Sequence, residues 1–246
     1  MPPDRPYPLT LRGSLDPELS RWQWLVKWVL AIPHVLVLMA LVPVFVVLTI
    51  VAGVAILVTG RYPEGIFRFN VGVLRWAWRV AFYGYGVLGT DRYPPFGLEP
   101  ADYPADLDVA YPARLSRGLV LVKWWLLALP HLIIVGLLTG GVTWTLGSQA
   151  TGSARITLGG GIVGLLVVVA AVVLLVRGRY PQPLFDLVLG LQRWVYRVIA
   201  YVALMTDVYP PFRLDQGGQE PYPSGSGPAP STPPTAAAPP RTAIPG

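Results

Sequence analysis

Between Trp28 and Thr59 the only ionisable side chain is His34. As one helix this run is about 48 Å long, against a hydrocarbon thickness of about 30 Å. It is too long for one upright span and slightly short for two. A run of this kind needs an apolar solvent, and the composition agrees: 53% of residues are hydrophobic and 13% charged, with a mean hydropathy of +0.52. The net charge of +6 rests on 19 basic residues, all arginine except Lys27 and Lys123. They lie at the ends of apolar runs and form no compact basic surface, a pattern that suits anionic lipid headgroups and argues against nucleic acid. The chain has no cysteine, so disulfides, thiolate metal sites and cysteine nucleophiles are excluded. Mostly polar residues, including Asp4, Asp16 and Glu18, precede the first apolar run, and no cleaved signal peptide is expected.

The chain is a duplication. Leu19-Ser20-Arg21 returns as Leu115-Ser116-Arg117, and Ala31-Ile32-Pro33-His34 as Ala128-Leu129-Pro130-His131. Gly60-Arg61-Tyr62-Pro63 matches Gly178-Arg179-Tyr180-Pro181, and Arg75-Trp76 with Arg79 matches Arg193-Trp194 with Arg197. Thr90-Asp91-Arg92-Tyr93-Pro94-Pro95-Phe96 matches Thr206-Asp207-Val208-Tyr209-Pro210-Pro211-Phe212. Five matches in one order define a first repeat over 1–99 and a second over 100–214. The remaining segment, 215–246, is dominated by Pro, Gly, Ser, Thr and Ala and reads as a disordered tail.

The order Pro-His, Gly-Arg-Tyr-Pro, Arg-Trp and Thr-Asp-x-Tyr-Pro-Pro-Phe resembles a bacterial membrane domain of unknown function, the DUF4389 family, often found in tandem. The resemblance covers roughly 7–99 and 103–214. It implies a membrane location and carries no assigned activity. Repeat two departs from the pattern with Gln182 in place of Glu64 and with an insertion around 139–158.

That insertion, rich in Gly, Ser and Thr and containing Gln149 and Arg155, divides the second apolar run into two arms joined by a loop. By analogy the first run turns near Pro43, because proline lacks an amide and tends to break or kink a helix; a single tilted helix is the alternative. The third element of each repeat carries Arg68, Arg75 and Arg79, or Asp186, Arg193 and Arg197, at i, i+7 and i+11. At about 100° per residue these positions fall within an arc of about 40°. An amphipathic helix with a narrow charged stripe is therefore expected, lying in the interface or spanning with its stripe turned inward.

If the striped helices lie flat, Arg12, Arg21, Lys27, Arg61, Arg114, Arg117, Lys123, Arg177 and Arg179 share one side and Arg155 is opposite. The expected fold is thus an all-α membrane protein of two tandem repeats. Each repeat is a transmembrane helical hairpin plus an interfacial amphipathic helix, multi-pass in the cytoplasmic membrane with both termini in the cytoplasm. The tryptophans Trp22, Trp24, Trp28, Trp124, Trp125, Trp76, Trp78 and Trp194 suit interfacial anchoring. Alternation around Tyr7–Arg12 and Ala105–Ala110 predicts short strands on the cytoplasmic side, with the Tyr-Pro-Pro-Phe segments as partners.

Arg68, Arg75, Arg79, Arg193 and Arg197 are candidate contacts for lipid headgroups or a partner protein, because guanidinium donates two parallel hydrogen bonds to phosphate. His34 and His131 form a candidate intramembrane polar pair if they meet across a twofold axis. Two ligands do not close a zinc or haem site, so no metal or cofactor is expected, and a histidine bonded to a carbonyl explains each equally well. Arg61, Tyr62, Pro63, Arg179, Tyr180, Pro181, Asp91 and Asp207 mark the repeat motifs, the aspartates suiting caps or turns more than catalysis. Gly84-x-Gly86-x-x-Gly89 and Gly159-x-Gly161-x-x-Gly164 copy a dinucleotide fingerprint but lack its strand-to-helix setting. No catalytic motif is present, and the expected role is non-enzymatic: contact with anionic lipid, a membrane-protein partner or a second copy. The alternative is a small transporter or channel with a pathway between the repeats.

Overall fold

A computed structural model describes residues 7–140, 142–146, 154–158 and 161–215; the expected tail beyond Asp215 falls outside them. Each repeat opens with a strand, β1 (Leu9–Gly13) and β2 (Ala105–Val109), and the two strands pair antiparallel. Leu11 faces Leu107 at the centre of the ladder, and these two residues occupy equivalent positions in the repeats. A pseudo-twofold axis therefore passes between them. The strands predicted by alternation are present, but their partners are each other, and the Tyr-Pro-Pro-Phe segments are engaged elsewhere.

In repeat one, α1 runs unbroken from Trp24 to Thr59, with Pro33 and Pro43 inside it. This corrects the expected turn at Pro43. A proline removes one backbone bond and adds a local clash, whereas a turn inside a thirty-residue apolar run would strip several amides and carbonyls of partners at once. Gly60 ends α1 with a left-handed φ of 72° and its amide on the Ile56 carbonyl; Gly178 repeats this at φ 69° on Leu174. Pro63, at φ −61°, then sets the first residue of α2 (Glu64–Tyr83), and Pro181 likewise begins α6 (Gln182–Val202). Gly-Arg-Tyr-Pro is thus a helix stop followed by a helix start, and the two helices fold back on one another.

Repeat two builds the same long arm from pieces. Lys27 and Lys123 are 96 residues apart, but His34 and His131 are 97 apart. The extra residue is absorbed in a π-helical turn, Lys123–Leu127, between α3 (Arg117–Val122) and α4 (Leu129–Thr139). Its widened bond runs from the Ala128 amide to the Lys123 carbonyl at 2.8 Å. The register rises again to 118 at Gly60 and Gly178, so 21 residues are inserted, and 21 separate Thr139 from Gly161. In place of the expected loop, this insert carries a hairpin of β3 (Val142–Leu146) and β4 (Ala154–Leu158). Gln149 lies outside the described residues. Helix α5 (Gly161–Arg177) resumes where α4 stops: a Cβ on Gly161 would meet the Leu138 and Gly140 carbonyl oxygens at 2.7 Å. In register, the insert falls immediately before the position of Pro43.

The elements form three layers. Helix α2 turns one face to α1, through Asn70, Trp76 and Tyr83, and another to the strands, where Val71, Leu74, Trp78 and Phe82 join Leu9, Leu11 and Leu107 in the core. Helix α6 does the same between the α4–α5 arm and β1. The repeats are laced together across the axis. The Tyr62 hydroxyl donates to Ala203 O (3.4 Å) and that of Tyr180 to Val87 O (3.0 Å). Tyr7, from the start of repeat one, donates to Val208 O in repeat two (3.2 Å).

Candidate functional site

The histidines do not meet. Each is sealed in an aromatic cage drawn from its own repeat. His34 is stacked on Phe96 (centroids 4.0 Å apart), beside Tyr93, and accepts a hydrogen bond at Nδ1 from the Trp76 indole (3.1 Å). His131 is stacked on Phe212 (4.7 Å) and Trp194 (5.5 Å), with the Tyr209 hydroxyl and the Pro210 carbonyl each 3.3 Å from a ring nitrogen. Here the Tyr-Pro-Pro-Phe segments are employed: they wrap a histidine instead of extending a sheet. Among the described residues no cluster of His, Asp and Glu suits a metal ion.

About two helical turns nearer each N-terminus lies a constellation that sequence reasoning passed over. Lys27 Nζ, almost wholly buried, is 2.8 Å from Asp91 and donates to the Thr90 carbonyl at 2.7 Å. Lys123 does the same with Asp207 and Thr206, both at 2.7 Å. The Tyr83 and Tyr201 rings lie under the two ammonium groups at 5.0 and 4.7 Å. The second carboxylate oxygen of Asp91 accepts the Ser20 amide, and that of Asp207 the Ser116 amide. Each pair therefore ties the entry of a long arm to the exit of its repeat. The signal was present in the lysines, the only two in the chain, recurring 96 residues apart ahead of Pro-His.

The arginine stripe faces the protein. Arg79 and Arg197 are buried and spend their guanidinium donors on backbone carbonyls of the exit: Gly97 and Glu99 for Arg79, Arg213 and Asp215 for Arg197. Arg75 donates to Leu107 O (2.8 Å) and pairs with Asp106 (3.2 Å) and Asp108 (3.0 Å). Arg193 donates to Leu11 O at 3.2 Å. These side chains fasten helices to strands and exit loops, which takes Arg79 and Arg197 out of reach of a headgroup. Of the five expected contacts, only Arg68 is fully exposed, and it sits 3.8 Å from Glu64. In repeat two Gln182 donates to Asp186 at 2.9 Å, the same i, i+4 link made by a neutral amide and a carboxylate in place of an ion pair.

Trp76, Trp78 and Trp194 are buried, not interfacial, whereas Trp22 and Trp28 are exposed. Of the other motif residues, Tyr62 and Tyr180 are buried and Arg61 and Arg179 exposed. Burial pushes the Tyr7 and Tyr103 phenols above their ordinary range, partly offset at Tyr7 by Arg197. A cleft of about 300 Å³ lies over the outer face of the β1–β2 ribbon, lined by Thr10, Arg12, Arg75, Pro100, Asp106 and Asp108. A second, of about 200 Å³, lies at the Gly178 elbow between Leu15, Asp16, Leu19, Leu174 and Arg179.

Outside, α1 presents one buried seam, running through Lys27, His34, Ala52, Gly53 and Ile56, while apolar side chains from Leu25 to Val58 are exposed. Only 6% of its most apolar window is buried, so it is no core helix of a water-soluble domain, and it is long and apolar enough to cross a membrane. The molecule is thus a duplicated helical protein in which two swapped strands hold the repeats together and each repeat wraps a histidine. It belongs to the family described as "Domain of unknown function (DUF4389)", whose profile matches residues 21–97 and 156–213. The second match begins inside the insert, after the interruption of the arm that α1 forms without a break. No curated protein and no solved structure matches the chain.

Proposed function

We propose that the protein is a non-enzymatic component of the cytoplasmic membrane, seated through α1 and the α4–α5 arm, that contacts anionic lipid and serves as a scaffold for a partner or a second copy. The observation that carries this reading is the exposed apolar surface surrounding the single seam of α1. Each half-exposed Val, Leu or Ile gains about 1 kcal/mol on leaving water, so the helix as a whole favours hydrocarbon by on the order of 10 kcal/mol. Water on that surface is the less stable arrangement, and aggregation or membrane insertion relieves it.

The layer order supports an orientation. Arg12 and Asp108 project from the exposed face of the strand pair, on the side of α2 and α6 away from the apolar arms. Charges and open strand edges are costly in hydrocarbon, so the ribbon faces water, the arginines at the ends of the arms favour the cytoplasmic side for it, and α2 and α6 lie between it and the lipid. The Tyr7–Val208 contact brings both ends of the folded chain to that same side. A transport pathway between the repeats has less support, because the histidines occupy separate cages and the described core between the repeats is closely packed.

In the full chain, membrane association is expected to survive high-salt and urea washing and to yield only to detergent. Release by washing alone would overturn the reading. A cysteine at Ser14 is expected to label only after permeabilisation of the cells. Labelling at Ser14 in intact cells would overturn the orientation.

A further inference from the structure

The pseudo-twofold axis makes the two ends of the molecule comparable, and their charges differ. At one end the elbow of repeat one meets the start of repeat two: the Leu115 amide donates to Gly60 O at 3.0 Å, and a Cβ on Gly60 would lie 3.8 Å from Arg117 Nε. Arg61, Arg114 and Arg117 gather there, all exposed, none with an ion pair among the described residues. At the other end the elbow at Gly178 meets the start of repeat one, and Arg21, Arg177 and Arg179 gather. That end carries two carboxylates beside its arginines, Asp16 and Glu18, which lower its net charge. With the 96-residue register, Arg114 corresponds to Glu18 and Pro112 to Asp16. The second cleft is lined by Asp16; at the first end Tyr111, the counterpart of Leu15, donates its hydroxyl to Tyr62 O instead.

The trio at the first end, Arg61, Arg114 and Arg117, borders the apolar surface. Val54 and Val58 are exposed on the last turns of α1 just before Arg61, and Leu121 is exposed one turn after Arg117. Three guanidinium groups at such a rim match a phosphodiester whose chains continue into the apolar layer, since each can donate a forked pair of hydrogen bonds to phosphate oxygens. We propose that Arg61, Arg114 and Arg117 form a binding site for the phosphate of an anionic membrane lipid, with acyl chains along Val54, Val58 and Leu121. The site rests on the membrane reading above. It replaces the buried stripe as the place where headgroups are held.

The test is retention of phosphatidylglycerol against phosphatidylcholine by the purified full chain in detergent, read by native mass spectrometry. The Arg61→Gln/Arg114→Gln/Arg117→Gln variant is compared with Arg21→Gln/Arg177→Gln/Arg179→Gln, both checked for wild-type melting. Three cations each contribute several-fold, so the first variant is expected to lose affinity for phosphatidylglycerol by roughly two orders of magnitude, while the second changes less than about threefold. Equal losses in both variants, or no headgroup preference in the wild type, would overturn the site while leaving membrane insertion intact. Displacement of the lipid by inorganic phosphate, which also stabilises the wild type alone, would assign the trio to a free anion and overturn the lipid proposal. Release of the wild type from washed membranes would instead strike the membrane reading itself.

Discussion

Removing Asp91 should cost far more than removing its partner. The Lys27 side chain is 2% exposed and that of Asp91 17%, with 2.8 Å between their charges. In Lys27→Met the Asp91 carboxylate keeps the Ser20 amide and some water, so the loss is about 1–2 kcal/mol. In Asp91→Asn the ammonium is left almost without solvent and without its counter-charge at 2.8 Å, held by the Thr90 carbonyl and the Tyr83 ring. An uncompensated buried charge of this kind costs about 3–5 kcal/mol. The Lys27→Met/Asp91→Asn double variant removes both charges yet keeps an oxygen for the Ser20 amide, and should fall within about 1 kcal/mol of wild type. The cycle is read by denaturant or thermal unfolding in one detergent, followed by tryptophan fluorescence, with the coupling energy taken from the two single variants and the double. Equal single costs that simply add would refute the reasoning, because they would mean the ammonium is already solvated. The pair Lys123 and Asp207 should give the same asymmetry.

Arg79→Leu should destabilise the chain by about 2–4 kcal/mol and raise hydrogen exchange in the exit around Gly97–Glu99, since two carbonyls lose their donors; altered lipid binding at unchanged stability would restore a headgroup role. His34→Leu and His131→Leu should be additive within about 0.5 kcal/mol, because the cages share no residue; strong coupling in the double variant would show that the histidines act together. Tyr7, Tyr103 and Tyr180 are raised above their ordinary value by burial. Their neutral forms therefore favour the folded state, and that contribution is complete below pH of about 10 and is lost as pH rises beyond it, where only the unfolded chain ionises. The tyrosinate absorbance belonging to these three, taken as the difference from a variant with all three changed to Phe, should appear only with unfolding in this alkaline range; its appearance near pH 10 with the fold intact would contradict the burial.

Local covalent and periodic signals in the sequence were sufficient for several features. Gly60 and Pro63, with Gly178 and Pro181, determine a helix stop and start by themselves, since left-handed backbone favours glycine and a fixed φ suits a helix start. Alternation sufficed for the existence of β1 and β2, and duplication for the two-repeat order. Hydropathy marked the long apolar arm, because an unbroken run of Val, Leu and Ile is visible in the sequence alone.

Tertiary structure decided what each of these faces meets. An arginine stripe reads the same whether its donors end on phosphate or on carbonyls of a returning loop, and only the wrapping of the exit around α2 turned Arg79 inward. Strand partners, the separate histidine cages and the Lys27–Asp91 and Lys123–Asp207 pairs join residues tens of positions apart, and no local propensity ranks such encounters. Whether α1 turned at Pro43 was likewise settled beyond the neighbourhood of the proline. A continuous helix keeps nearly all backbone bonds within the segment, and its single seam is filled by α2, by the exit at His34 and by Val120 and Leu204 at Gly53, so the loss of one amide does not outweigh them.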